Sequence, residues 1–464
     1  MDKEKKEILL KKKHELSTAQ IIALGFFITI LIGSFLLCLP ICASDGQWTN
    51  YLDALFTSTT SVCVTGLVVV DTYAHWSLFG QIIILLLVQC GGLGIITLST
   101  FLMVLIGKKV SLKDRLLLED AFNLDTLQGL VRFLKRVLKG TFLIECIGAV
   151  CYMAVFVPEF GIKGIWYSVF NAVSAFCNAG MDVIGNRSLM DYVGHPWINM
   201  VTMILIILGG IGFIVWWDVL RVAKEIRSGN IARRFMFRSL KLHSKVVLVT
   251  TGILILGGAA IIYLLEYQNP HTLGTLSFGE KLMASLFQSV TFRTAGFATI
   301  SQKGLCGASV LVGIVLMMIG GSPVGTAGGV KTSTMALVFF TAAATVKGEE
   351  KVTVFKRTIP LKTIRKAVSV TLVFGAVLLV MIILMSLLVE GSMMDIAYET
   401  ASALGTVGLS RDFTATMNSV GKVLIIICMY LGRIGPISMA IAFTFKGSKR
   451  GYQIRYPEED VTVG

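Results

Sequence analysis

Four short segments of the chain end in glycine and carry residue types suited to hold an ion through backbone oxygens. In chain order they are Val64-Thr65-Gly66, Asn178-Ala179-Gly180, Thr294-Ala295-Gly296 and Thr406-Val407-Gly408. Glycine adopts backbone conformations that strain larger residues, so these segments can turn several carbonyl oxygens to one side. A ring of such oxygens can replace the hydration shell of a cation. The segments therefore predict an ion site built from backbone, in which the side chains are free to differ.

Other kinds of chemistry find little support in the sequence. The nine cysteines are scattered without a Cys-x-x-Cys pair, and the five histidines form no His-Glu-x-x-His pattern, which argues against a disulfide framework or a metal cofactor. Residues 325–333 resemble a phosphate-binding loop only superficially, because Val330 separates Gly329 from Lys331 and that motif needs Gly-Lys-Ser/Thr without interruption. We expect neither an enzyme nor a cofactor held by this chain.

The elements that position the four segments are predicted to lie in a membrane. Charged residues make up 15% and hydrophobic residues 55% of the 464 residues, whereas soluble proteins carry about 25% charged residues. The apolar stretch after the basic N-terminus is too long for a signal peptide and is predicted to be the first span. Stretches able to cross a hydrocarbon core of about 30 Å occur eight times, near 18–41, 76–107, 134–157, 197–220, 246–266, 305–346, 367–390 and 420–445.

The basic residues predict how these spans are oriented. Of the 42 Lys and Arg residues, 33 lie in the segments 1–17, 108–139, 221–245, 347–366 and 446–455, and six lie in the alternate loops. By the positive-inside rule, both termini and the basic segments face the cytoplasm of a multi-pass protein of the cell membrane. The net charge of +14 is therefore a consequence of topology, and the expected partner is the lipid bilayer and not nucleic acid.

A second set of glycines follows the first at a similar interval. The four segment-ending glycines are 112 to 116 residues apart, and glycine clusters begin 24 to 29 residues after each, at Gly91, Gly209, Gly320 and Gly432. Glycines placed only for helix packing would not share one period, so we predict four tandem repeats.

The predicted fold is an all-α polytopic membrane protein with four helix/pore-helix/helix repeats around one central pore. It has eight spans and four re-entrant pore segments, near 51–66, 164–180, 279–296 and 394–408. The predicted divisions are a cytoplasmic tail at 1–17, repeats at 18–107, 108–227, 228–347 and 348–446, and a cytoplasmic tail at 447–464.

Several phrases in these segments resemble the Trk/Ktr/HKT superfamily of potassium transporters, and in particular its bacterial KtrB-like membrane subunits. The resemblance runs from about residue 18 to the end of the chain. It rests on residues 65–67 (Thr-Gly-Leu), 175–180 (Ala-Phe-Cys-Asn-Ala-Gly), 292–297 (Phe-Arg-Thr-Ala-Gly-Phe), 402–410 (Ser-Ala-Leu-Gly-Thr-Val-Gly-Leu-Ser), 432–436 (Gly-Arg-Ile-Gly-Pro) and 454–457 (Ile-Arg-Tyr-Pro).

The resemblance implies a potassium-uptake subunit with K⁺ bound at the twelve residues of the four glycine-ended segments, which act as a selectivity filter. It also implies a homodimer with two separate pores, assembled on a cytosolic KtrA-like ring that binds nucleotides. Na⁺ as an activator or co-ion is a property of related proteins that the sequence leaves open. Serine at the first filter glycine accompanies sodium transport in plant relatives, so Gly66 favours potassium.

The last predicted span of repeat three is too long to be one helix. It has 42 residues, about 63 Å at 1.5 Å per residue, and glycines and a proline interrupt it at 320–329. We predict an intramembrane gate loop at 320–332, as the family resemblance also implies, and the alternative is a packing kink without a gating role. The predicted gate residues are Gly320, Gly321, Ser322, Gly325, Thr326, Gly328, Gly329, Lys331 and Arg433.

Two arginines lie within predicted membrane segments, where a charge needs a partner. Arg433 is expected to contact carbonyls of the gate loop, or Ser322 and Thr326. Arg293 lies within a filter motif, and we expect it to point behind the filter and to pair with a carboxylate such as Glu399 or Glu280.

One alternative function remains at this stage, a secondary transporter of another small solute or of a cation such as sodium or ammonium, with broken helices forming a midplane site. Repeats in such transporters are usually inverted or paired, whereas these four run in parallel order. A receptor or scaffold would leave the repeated glycines without a purpose. The sequence leaves open whether transport is channel-like or sodium-coupled, which nucleotide acts on the partner and how a dimer packs.

Overall fold

The computed structural model describes residues 18–94, 97, 130–185 and 187–435, and this part of the chain is mostly helical. The predicted tails 1–17 and 447–464 and the basic segment 108–129 lie outside the described residues. The helices are α1 Thr18–Cys38, α2 Tyr51–Cys63, α3 Leu78–Leu93, α4 Leu130–Phe160, α5 Lys163–Cys177, α6 Pro196–Ile211, α7 Phe213–Arg227, α8 Met236–Ser239, α9 Leu242–Glu266, α10 Phe278–Thr291, α11 Gly307–Met318, α12 Thr332–Val346, α13 Leu361–Leu388, α14 Met393–Gly405 and α15 Ser419–Ile434. Strands β1 Thr353–Val354 and β2 Arg357–Thr358 form an antiparallel hairpin.

Four of the described helices are long and apolar enough to cross a membrane. They are Gln20–Cys38 within α1, Phe133–Phe160 within α4, α9 and α13, and no more than 33% of each apolar window is buried inside the protein. The remaining apolar surface needs lipid around it, so the chain is a multi-pass membrane protein. Helices α3, α11 and α12 are apolar but shorter, and the total of eight spans stays a prediction.

Each predicted re-entrant segment contains one short helix, α2, α5, α10 or α14, whose C-terminal half is buried. Local sequence sets where three of them begin. The Asn50 side chain accepts the N–H of Leu52, and the Ser392 side chain caps α14 in the same way. Ser277 starts α10 with a capping box. Capping side chains satisfy backbone donors that have no helical partner, so these residues define where the three helices begin.

Two of the predicted spans are broken. The predicted span over 197–220 is bent, because α6 and α7 meet at an angle of 99°. Gly212 at this break has φ +91°, and the N–H of Phe213 donates to the carbonyl of Val324 in place of a helical partner. The span 305–346 is interrupted between Met318 and Thr332, in the glycine-rich run.

Candidate ion site and its loop

The four glycine-ended segments share one unusual backbone conformation. Positive φ angles of 52° to 64° occur two residues before each terminal glycine, at Val64, Asn178, Thr294 and Thr406. In three segments the N–H of the residue after this position donates, at 2.8 Å, to a carbonyl in the last turn of the preceding short helix. This is the pattern of a Schellman ending. Valine and threonine are rarely found at positive φ. Such strain persists only where the surroundings enforce it, and it is concentrated at functional sites.

Hydroxyl groups of the short helices fix the segments further. In three cases a serine or threonine six residues before the terminal glycine accepts the N–H of that glycine or of the residue after it. The pairs are Thr60 with Gly66 (2.9 Å), Ser174 with Met181 (3.0 Å) and Ser402 with Gly408 (3.1 Å). These bonds engage backbone donors at the ends of three segments.

The four terminal glycines lie side by side and close a ring. Each is too close to the next segment for a side chain. An added Cβ would collide with the Ala179 carbonyl at Gly66, with Gly296 at Gly180, with the Val407 carbonyl at Gly296 and with the Thr65 carbonyl at Gly408. We call Gly66, Gly180, Gly296 and Gly408 the glycine ring.

A cavity of about 560 Å³ opens on one side of the glycine ring. Its walls come from the residues that follow each glycine and include the carboxylates Asp71, Asp182 and Asp412 beside Arg187. Burial raises the pKa of Asp182 to about 7, against hydrogen bonds from Ser188 and the backbone that lower it. The cavity therefore offers negative charge at the approach to the ring.

The loop 319–331 lies on the other side of the ring. Thr326 donates through Oγ1 to the Phe176 carbonyl (3.1 Å) and to Oδ1 of Asn178 (3.0 Å). An added Cβ at Gly328 would collide with Thr406. The loop thus touches the second and fourth segments directly beneath the ring.

Backbone hydrogen bonds join the loop to the C-terminal end of α6, beside the break between α6 and α7. Ser322 N–H donates to the Gly210 carbonyl (2.8 Å), and Thr326 N–H donates to the Gly209 carbonyl (3.1 Å). Gly325 also packs against these two carbonyls. Sequence reasoning places the loop beneath the segments but gives no indication that the second glycine cluster holds it.

Arg433 and Lys331 are the cationic groups at this loop among the predicted gate residues. Arg433 donates to the carbonyl oxygens of Thr326 and Gly91, so the expected contact with loop carbonyls is present, and the Ser322 hydroxyl has no partner among the described residues. Lys331 precedes α12 and donates to the Ala327 carbonyl (2.7 Å). Arg433 therefore links α15, α3 and the loop.

The expected ion pair of Arg293 is wrong. Arg293 donates through Nη2 to the Gly320 carbonyl (3.3 Å) and to Thr332 Oγ1 (3.1 Å). Glu399 instead accepts hydrogen bonds from the hydroxyls of Ser410 and Thr414. Glu280 belongs to the capping box of α10. Carbonyl and hydroxyl oxygens near the guanidinium take the place of the carboxylate.

A buried carboxylate beside the second segment is a feature that sequence reasoning missed. Glu145 is 4% exposed and accepts from Gln89 Nε2 (3.0 Å), while the Cys177 thiol donates to Gln89 Oε1 (3.5 Å). The sequence feature that could have indicated this group is a lone acidic residue within the apolar stretch 134–157. Cys177 immediately precedes the strained Asn178, so this group supports the end of α5.

The described residues contain no group of three or more His, Cys, Asp or Glu that could hold a metal ion through side chains, and the nine cysteines are unpaired. The arrangement is that of a polytopic membrane protein in which four short helices, buried in their C-terminal halves, lead to the glycine ring. The sequence matches the TrkH family, described as a cation transport protein, over residues 11–450. The chain belongs to this family, and the resemblance to the Trk/Ktr/HKT superfamily is confirmed.

Individual relatives of this family are similar in sequence, and a solved structure is similar in fold. The potassium/sodium uptake protein NtpJ of Enterococcus hirae is 38% identical over 98% of this chain and 100% of its own length. The Ktr system potassium uptake protein B is 37% identical in Bacillus subtilis, covering 96% of both chains, and 36% identical in Vibrio alginolyticus, covering 96% of this chain and 94% of its own. The crystal structure of the potassium transporter TrkH from Vibrio parahaemolyticus has a TM-score of 0.72 at 17% identity, over 93% of this chain and 86% of that one, and shares the fold.

Proposed function

We propose that this protein takes up potassium ions across the cell membrane through the glycine ring. The observation that carries the proposal is the position of the ring, which lies between an open acidic cavity and the loop 319–331. The relatives named above are a potassium/sodium uptake protein and potassium uptake proteins by name, which supports K⁺ as a transported ion.

In this proposal the filter is formed by the backbone carbonyls of the four segments that end in the glycine ring. The C-terminal ends of α2, α5, α10 and α14 point into these segments, and helix C-termini carry partial negative charge that favours cations. The buried hydroxyls of Thr65, Thr294 and Thr406 have no partner among the described residues, so they are available as further oxygen ligands.

The four-repeat architecture is part of the same proposal. The contacts that support this architecture recur at equivalent positions of the chain. Glycines of the later helices approach the residue four before each terminal glycine, with Gly91 against Val62, Gly209 against Phe176 and Gly432 against Leu404. In the third repeat the second glycine cluster, Gly320 and Gly321, lies in the loop 319–331 itself, which makes that repeat the suitable location for a gate.

We further propose that the loop closes the pore on the cytoplasmic side and that Arg433 holds it closed. Loop residues fill the axis beneath the ring, and three described parts of the chain hold them there by hydrogen bonds, namely the end of α5, the α6–α7 break and α15 through Arg433. Because most of these bonds use backbone atoms, the loop can be released without refolding of the helices.

The orientation and the partners follow from the basic segments. Segments 221–245 and 347–366 would face the cytoplasm and contact a KtrA-like nucleotide-binding ring, with two chains assembled on it. Two relatives are named potassium uptake protein B of the Ktr system, and the letter B is consistent with a system that has more than one subunit. Co-purification of the chain with such a ring, and its loss when the basic residues of 221–245 are neutralised, would test this part.

Rubidium uptake in cells that lack potassium transport tests the central proposal. Gly66→Ser and Gly408→Ser are the informative variants, because each glycine has a φ above +90° and an added Cβ would displace a carbonyl of the ring. Gly257→Ser is the matched control, since an added Cβ there meets nothing within 4 Å. We expect uptake by the wild type and the control and its loss in both ring variants.

Uptake that is indifferent to both ring substitutions would refute the filter assignment. Repeating the assay with and without Na⁺ separates K⁺ transport alone from a role of Na⁺ as activator or co-ion. Uptake of sodium or ammonium in preference to rubidium would favour the alternative of a transporter for another cation.

A further inference from the structure

The strongest unexplained group is Arg293, a buried guanidinium that is 8% exposed. It immediately precedes the third segment, next to the strained Thr294, and it has no carboxylate partner among the salt bridges of the described residues. A buried charge without an ion-pair partner is costly. Its retention at this position needs an explanation beyond the stability of the fold.

The contacts of Arg293 lie at the two ends of the loop 319–331. Gly320 is near the start of the loop, and Thr332 is the first residue of α12 after it. Arg293 donates to both, and Thr332 Oγ1 also donates to the Gly320 carbonyl (2.8 Å). The three residues therefore form a triangle that we call the neck link.

Backbone bonds close the neck of the loop at the same place. Gly320 N–H donates to the Val330 carbonyl (2.9 Å), and Thr332 N–H donates to the Gly321 carbonyl (2.9 Å). Because these bonds hold the entry of the loop to its exit, a movement of the loop that displaces its neck also moves the acceptors of Arg293. Arg293 then loses its acceptors at the neck when the loop moves.

A small enclosed space of about 20 Å³ extends this connection to the second filter segment. Arg293, Asn178 and Gly321 are among the residues that line it, and Nε of Arg293 and Nδ2 of Asn178 are buried with no hydrogen-bond partner among the described residues. A water molecule needs about 10–15 Å³ and two or more polar partners. The space is large enough for one water that accepts from both groups.

We propose that Arg293 is a positioning residue that couples the selectivity of the filter to the position of the loop. With the loop on the axis, the neck link orients Arg293 and thereby the third segment, and the bridging water extends this to Asn178. When the loop moves, both restraints weaken, so the ion preference of the ring depends on the state of the gate. This inference rests on the proposed function.

The decisive variant is Thr332→Val, because it removes an acceptor of Arg293 without altering any filter residue. We expect the preference for Rb⁺ over Na⁺ in uptake to fall by about tenfold, on the order of the effect of one lost hydrogen bond to a charged group. Arg293→Lys and Arg293→Met should lower the preference as well. The double variant Arg293→Met/Thr332→Val should be no worse than Arg293→Met alone, since both changes break the same link.

Two controls separate coupling from a general structural effect. Thr332→Ser keeps the hydroxyl and should keep the wild-type preference. Thr341→Val is the matched control on the same helix, because its hydroxyl bonds only the Leu337 carbonyl one turn earlier. The amount and dispersity of each variant in detergent show whether it folds.

The outcomes distinguish this inference from the proposed function. Absence of Rb⁺ uptake by the wild type, or uptake unaffected by Gly66→Ser, would overturn the proposed function. If Gly66→Ser abolishes uptake but Thr332→Val changes only the rate and not the Rb⁺ to Na⁺ ratio, the coupling is overturned and the filter stands. An additive double variant would also contradict the shared link.

Discussion

Arg433 donates a hydrogen bond to the carbonyl oxygen of Thr326, which lies 107 residues earlier in the chain. The bond joins the last described helix to the loop beneath the glycine ring. A guanidinium inside a membrane protein needs acceptors, and the loop supplies one. If the loop is the gate, this bond stabilises the closed state.

Substitution Arg433→Ala is expected to raise basal Rb⁺ uptake. The loss of a hydrogen bond from a charged group destabilises the closed state by about 1.5–3 kcal/mol, which corresponds to an increase in the open fraction of about tenfold or more while the gate is mostly closed. Initial Rb⁺ uptake per amount of protein measures this. Unchanged uptake, with the protein present in the membrane, would count against the gate.

Ion pair Lys422–Asp53 provides a contrast at the other end of the same helix. The Nζ to Oδ1 distance is 2.7 Å, and the side chains are 18% and 20% exposed, so the pair joins α15 to α2. Lys422→Met should lower the free energy of unfolding by up to about 1 kcal/mol and leave the uptake rate unchanged. Thermal unfolding in detergent checks the first part. A rise in uptake as large as that of Arg433→Ala would show that α15 responds nonspecifically.

The hydroxyl of Thr60 is predicted to be required for the filter. It accepts the Gly66 N–H at 2.9 Å, and Thr60→Val leaves that buried donor without a partner, at a cost of about 1–3 kcal/mol. We expect Rb⁺ uptake to fall by about tenfold. The neighbouring Thr59 donates only to the Leu55 carbonyl of its own helix, so Thr59→Val should retain uptake. Equal effects of the two substitutions would mean that α2 as a whole, and not the bond to Gly66, is sensitive.

Uptake should depend on the external pH through Asp182. Its pKa is raised to about 7 by burial, so the carboxylate is charged above pH 7 and becomes neutral below it. Negative charge in a cleft concentrates cations, and uptake at low Rb⁺ should therefore fall several-fold from pH 8 to pH 6, with little change at saturating Rb⁺. Asp182→Asn should show the low value at both pH values. If this variant keeps the pH dependence of the wild type, another group is responsible.

Much of the ring could be predicted from the sequence because the glycines carry the information themselves. Gly66, Gly180, Gly296 and Gly408 recur with one period, and backbone contacts such as those at the ring tolerate no side chain. The interruption after Met318 was equally visible, since several glycines and a proline within ten residues cannot remain helical.

The partners of Arg293 and the bend at Gly212 could not be predicted. A buried guanidinium is satisfied by carbonyl or hydroxyl oxygens as well as by carboxylates, and only the folded chain brings Gly320 within reach. Glycines within an apolar span are compatible with close helix packing or with a break. The bend at Gly212 depends on the loop, because the Val324 carbonyl accepts the N–H of Phe213, the residue after the bend.

Radioactive Rb⁺ uptake into proteoliposomes that contain the purified chain tests the central claim most directly. The account predicts uptake that excess unlabelled K⁺ suppresses, that an equal concentration of Na⁺ leaves largely intact, and that Gly66→Ser abolishes while Gly257→Ser does not. Uptake that Na⁺ and K⁺ suppress equally, or that survives Gly66→Ser, would contradict a potassium filter made from the glycine ring.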